Sequence, residues 1–205
     1  FTGTLISVAD LTALNSTWQT KQPVVRGREL YDSMLFSYCD RVNFHYYQLA
    51  GGIPDVVAHL SRRTGTRLMS NEVGIKEKYA ASPDDAARQM VQKYARALAL
   101  GVAPVIWFTP GGKSDNNGGA LVDAQGNIVP ETVNAFEAVA RFLGKPYQNA
   151  ADISTNTLAR FKFQYGDGAS EVNVMWPLAD SVNTISIELG YEAFDYQNQK
   201  RPGRN

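Results

Sequence analysis

Residues 67–74, RLMSNEVG, the run SPDDAARQMVQKYARALALG at 82–101 and the short apolar run APVIWF at 103–108 decide the fold class of this chain. The middle run reads as a helix over 83–100. Ser82 stands where an N-cap belongs, Asp84 and Asp85 complement the positive end of the helix dipole, and Gly101 stands just past the end. The flanking runs, strands at 67–71 and 103–108, are too short for helices and long enough for buried strands. Strand, helix and strand in that order form a βα unit, whose crossover makes the two strands parallel.

The same alternation extends both ways. A strand at 4–8 pairs with a helix at 27–38, where Leu30, Met34 and Leu35 recur at helical spacing. A strand at 42–47 pairs with a helix at 54–63, whose Ile53, Val56, Val57 and Leu60 form one apolar stripe behind the Gly51-Gly52 break. After 103–108 comes a Gly- and Asn-rich loop with a turn at 123–127, then a helix at 130–143 ending at Gly144. Past Pro146 the texture becomes alternating, with strands expected at 158–165, 171–176, 184–189 and 192–196. The expected fold class is therefore α/β: four βα units in a first domain, 1–146, followed by a small antiparallel β module, 147–205, with the break near 145–156.

Composition bounds the function. With 44% hydrophobic residues and 20% charged, the 205-residue chain can bury a real core. Twenty Lys and Arg balance twenty Asp and Glu, for a formal net charge of +0, so nothing draws the protein to phosphate backbones or anionic lipid. Neither nucleic acid nor membrane is an expected partner, and no run approaches the ~20 apolar residues of a bilayer span. The single cysteine, Cys39, supports no internal disulfide, zinc knuckle or redox pair, and no cofactor is expected. The chain begins at Phe1 without the basic start of a signal peptide and enters a strand almost at once, so further sequence is expected upstream.

In a parallel βα barrel, residues past the carboxyl ends of the strands converge on one mouth. Three such ends carry unusual side chains here: His45, Tyr46 and Tyr47; Asn71 and Glu72; and Trp107. A carboxylate among His, Tyr and Trp suits a sugar site, where the acid works on the glycosidic bond and aromatic faces stack on the pyranose.

Taken in order, His45-Tyr46-Tyr47, Asn71-Glu72-Val73-Gly74, Trp107-Phe108, the loop at 119–127 and the helix from Pro130 resemble the carboxyl-terminal half of a clan A retaining glycoside hydrolase. The resemblance covers roughly residues 4–143 and implies a partial TIM-type (β/α)₈ barrel, about strands five to eight, with an appended β-sandwich-like module. It implies a carbohydrate substrate, with Glu72 as nucleophile and Tyr47 donating a hydrogen bond that keeps it ionised and aimed. It further implies His45 on the same wall, Trp107 as the floor of the sugar subsite, and Asn71 and Tyr46 as substrate contacts. The family's general acid/base, a Glu at the end of strand four, has no counterpart here, so a missing amino-terminal half is the implied partner and the isolated chain is expected to be nearly inert. A secreted or periplasmic location follows from the resemblance alone.

Two other readings stand beside it. One is a carbohydrate-binding or scaffolding protein that grips a glycan without cleaving it. The other makes Glu72 the strand-four acid/base of a differently registered barrel. Plainer roles also exist for single residues: Trp107 also suits simple packing, and His45 a hydrogen-bonded near-core place. His59 reads as structural, Cys39 as a small buried hydrophobe, and 75–78 as a solvated face. The run 111–114, GGKS, lacks the leading glycine of a phosphate loop, since position 107 is Trp. Asn15-Ser16-Thr17 matches a glycosylation sequon, a pattern with a high chance rate.

Overall fold

A computed structural model describes residues 6–7, 41–64, 67–111, 118–166, 170–178, 185 and 190–201. The helix expected at 27–38, most of the strand expected at 184–189, and Cys39 lie outside them. In chain order the elements are β1 (Ile6–Ser7), β2 (Arg41–Tyr46), α1 (Ile53–Thr64), β3 (Arg67–Val73), α2 (Pro83–Ala99), β4 (Val105–Trp107) and α3 (Pro130–Leu143). Then come β5 (Tyr147–Asp152), β6 (Leu158–Tyr165), β7 (Glu171–Pro177), β8 (Ala193–Phe194) and β9 (Lys200–Arg201). No helix among the described residues is long and apolar enough to cross a membrane.

The helix boundaries follow from local chemistry. The Ser82 hydroxyl accepts from the Asp85 N–H at 3.1 Å, capping α2 behind Pro83. Beyond its end Gly101 takes φ +79°, a left-handed conformation that glycine adopts without steric cost. Pro130 opens α3, and the Thr132 hydroxyl reaches out of its first turn to the Ala120 carbonyl at 2.6 Å, fastening the helix to the preceding loop.

Strands β1 to β4 form one parallel sheet in sequence order, with α1 and α2 as crossovers. The sheet is open among the described residues, and the closed barrel of which it would be a part is not seen in them. Its helix-side face packs in two clusters. Val42, Phe44 and Tyr46 of β2 and Leu68 of β3 pack against Ile53, Val57 and Leu60 of α1. Val73, Ile75 and Trp107 pack against Met90 and Tyr94 of α2, which also meets Ala135 and Val139 of α3. Ile75 is wholly buried in this cluster, whereas Lys76 is half-buried and Glu77 and Lys78 are exposed, so of 75–78 Ile75 alone departs from the solvated face expected; the segment forms a single 3₁₀ turn, Glu77–Tyr79, in place of a helix.

The antiparallel sheet β5-β6-β7 leans on the same helix layer. Alternate residues of β6, Ala159, Phe161 and Phe163, face into the core shared by α2 and α3. Position 146 therefore marks a change of topology, while the apolar core runs across it. Phe161 and Trp176 stack 5.2 Å apart, with the Arg96 guanidinium of α2 over both rings. The β8–β9 hairpin is tied to the start of α2, where Asp84 accepts from the Tyr196 hydroxyl and, at 3.0 Å, from the Gln197 amide. Strand β5 falls in the segment expected to be a linker.

Candidate functional site

The site is built by one irregularity in β3. Asn43 and His45 of β2, with one residue between them, pair with Met69 and Glu72 of β3, which have two between them. On the other side, Val105 and Trp107 of β4 pair with Ser70 and Val73 in the same uneven way. Strand β3 thus carries a bulge between Met69 and Val73, a device that re-aims side chains. Val73 stays on the helix face, and Glu72 shares the opposite face with His45 and Tyr47.

A hydroxyl donor and an imidazole nitrogen converge there on one oxygen. The Tyr47 hydroxyl donates to Glu72 Oε2, and His45 Nδ1 lies 3.1 Å from the same atom. No group among the described residues hydrogen-bonds Oε1. The Glu72 side chain is 28% exposed against 10% for His45, so the carboxylate is the reachable member of the group. Phe108 completes the wall, its ring edge-on to Tyr47 with centroids 5.9 Å apart. Gly74 allows this closeness. A Cβ there would stand 2.0 Å from the Phe108 carbonyl oxygen and 3.1 Å from Cδ1 of Tyr47.

Asn71 sits in the bulge, its N–H donating to Asn43 Oδ1 at 2.9 Å. Two buried polar atoms in this region have no hydrogen-bond partner among the described residues, His45 Nε2 and Asn71 Oδ1. Groups of this kind are uncommon in native interiors and ask for a ligand, a water or an adjustment on binding. Among the described residues no cluster of His, Cys, Asp and Glu could hold a metal ion.

The structure does not bring Trp107 and Tyr46 to this face. Trp107 is 7% exposed, stacks on Tyr94 of α2 and donates its indole N–H to the Gly119 carbonyl at 2.9 Å. It lies on the helix side because its register partner, Val73, does. Tyr46 is likewise buried against the helices and donates its hydroxyl to the Leu49 carbonyl at 2.7 Å; burial drives that hydroxyl well above the usual phenol range. Side chains alternate along a strand, so a neighbour of His45 and Tyr47 had to face away from them. Sequence reading overlooked Phe108, for which the same alternation was the available signal.

A carboxylate held from one side by a tyrosine and a histidine, at the carboxyl edge of a parallel βα sheet beside an aromatic wall, is the arrangement expected of a site for polar ligands in α/β folds. No protein-family model matches the chain, and no curated protein matches it in sequence. Among solved structures it is similar to a GH128 (subgroup VI) exo-beta-1,3-glucanase from Aureobasidium namibiae. The TM-score is 0.46 and the identity 12%, over 62% of this chain. The match spans 50% of the length of that protein.

Proposed function

We propose that this chain carries the nucleophile half of the active site of a retaining glycoside hydrolase, with Glu72 as nucleophile. The observation that supports this reading is the one-sided clamp on Glu72, in which Tyr47 and His45 share Oε2 and no other described residue engages Oε1. In such a reaction Oε1 attacks the anomeric carbon, the glycosidic oxygen leaves with a proton from a separate acid, and water later hydrolyses the glycosyl ester with retention. Tyr47 and His45 fix the carboxylate plane so that its free lone pair stays in line with the attack. Phe108 takes the apolar face of the sugar, the place first expected for Trp107. The acid has to lie about 5 to 5.5 Å from the nucleophile. The residues that follow β2 and β4, Tyr47-Gln48 and Phe108-Thr109, include no carboxylate.

A second reading is a protein that binds glycans without cleaving them. Activated 2-deoxy-2-fluoro glycosides separate the two, because a dinitrophenolate leaves without protonation. The chain is incubated with the gluco, galacto and manno compounds and followed by intact-protein and peptide mass spectrometry. The expected result is a single glycosyl adduct on Glu72. An adduct on another residue, or none with the whole set, overturns the assignment.

A further inference from the structure

Directly behind the site, on the helix face of the sheet, lies a charged group that the proposed reaction does not use. Lys93 of α2 is 0% exposed, and among the described residues no carboxylate forms an ion pair with it. Its ammonium donates to the Gly74 carbonyl and stands 5.3 Å from the ring centre of Tyr46 and 5.9 Å from that of Trp107. Tyr46 is the last residue of β2, Gly74 the first after β3, and Trp107 the last of β4. One cation therefore touches the ends of three adjacent strands.

Each of these residues is within two positions of a member of the site. Tyr47 follows Tyr46, Phe108 follows Trp107, and Glu72 lies two residues before Gly74. Backbone bonds tie the three ends together, Gly74 N–H to the Tyr46 carbonyl at 3.0 Å and Phe108 N–H to the Val73 carbonyl at 2.8 Å. One turn earlier on α2, Gln89 accepts from the Ala50 N–H at 2.8 Å and steadies the segment after β2. We propose that Lys93 is a positioning residue, which from behind the sheet sets the mutual placement of Tyr47, Glu72 and Phe108.

Stability alone does not account for a lysine here. Taking an ammonium out of water without a counter-ion is costly, and an apolar side chain of the same length would fill the space without that cost. The strain of burial is visible in the group itself, whose pKa is pushed down to about 7 by loss of solvent. What Met cannot supply is a donor for the Gly74 carbonyl together with a cation between two aromatic faces.

The inference rests on the reading of Glu72 as the reacting carboxylate, and the test therefore has an arm that needs no substrate. The ¹³C resonance of the Glu72 carboxyl, assigned through Glu72→Gln, is followed against pH in the full chain and in Lys93→Met and Lys93→Gln. Expected are variants as stable as the parent or more so, with the Glu72 resonance displaced in both. On whichever glycoside labels Glu72, kcat falls roughly tenfold to a hundredfold while KM stays within about twofold, as when a remote change misplaces reacting groups. If the Glu72 resonance is unmoved in a folded variant, or kcat is unchanged, the proposal is overturned. It is also overturned if neither variant folds, since Lys93 would then serve the fold itself. Should no glycoside react with the parent, the proposed function fails, and the resonance comparison alone decides whether Lys93 places the carboxylate.

Discussion

Glu72 at the end of β3 and Glu171 at the start of β7 each accept a hydrogen bond from a tyrosine hydroxyl, Tyr47 for the first and Tyr191 for the second. The remaining partners separate them. At Glu171 both oxygens are engaged: Asn173 joins Tyr191 on Oε1 at 2.8 Å, and the Lys162 ammonium lies 2.5 Å from Oε2. The hydrogen bond from Lys162, then that from Tyr191, hold the Glu171 carboxyl down at about 2. At Glu72 both partners share Oε2, and neither is a lysine or arginine. A carboxylate engaged on both oxygens, one of them by a cation, is a brace between strands. One gripped from a single side keeps a lone pair for something else.

The largest effect that tests this contrast is on turnover. Glu72→Gln is expected to lower kcat by roughly 10³-fold or more on any glycoside the protein cleaves, with the thermal midpoint unchanged. Substantial residual turnover would place the nucleophile elsewhere. Tyr47→Phe removes the hydroxyl donor to Oε2. A hydrogen bond to a charged group is worth about 1.5 to 3 kcal/mol, so a loss of roughly tenfold to a hundredfold in kcat is expected from steady-state kinetics.

Glu171→Gln should do the reverse, leaving kcat alone and lowering stability by about 1 kcal/mol, or a thermal shift of roughly 2–4 °C for a chain of this size. The pH dependence gives it a sign. Because folding depresses the Glu171 pKa from 4.5 to about 2, its contribution is complete above the unfolded value and fades as pH falls through about 2. Calorimetry should show the melting difference between parent and Glu171→Gln narrowing over that window. A difference that is constant from neutral pH to pH ~2 would remove the charge from the explanation. The smallest effect is expected of Tyr191→Phe, about 0.5 to 1 kcal/mol in urea unfolding, because Asn173 and Lys162 still hold the carboxylate.

Much of the α/β part was legible in the chain. The edges of α2 and α3 stand where Ser82, Pro83, Pro130 and Gly144 put them, because caps and prolines act locally. The shared face of His45 and Tyr47 was also readable, since residues two apart on a strand point the same way. Trp107 was not, because β4 has apolar side chains on both faces: Val105 and Trp107 turned to the helices, Ile106 and Phe108 away from them. With no polar alternation, only the neighbours of a strand reveal which face is which. Strand β5 was missed for a different reason. Its sequence, YQNAAD, has little intrinsic preference for extended structure, and it becomes a strand through pairing with β6. The Lys93 contacts join residues far apart in the chain, beyond the reach of any local pattern.

The extra residue in β3 acts as a parity bit for everything after it. With it, an even-numbered glutamate and the odd-numbered Tyr47 end on the same side of the sheet. Without the bulge and with every residue kept, plain alternation would set Asn71 opposite His45 and send the carboxylate in among Met90, Tyr94 and the rest of the helix-side apolar residues, while Val73 came out at the open edge. Composition and charge are the same in the two arrangements, yet one presents a reactive group where the other presents an inert one. The bulge is thus where the shape of this fold and its chemistry come apart.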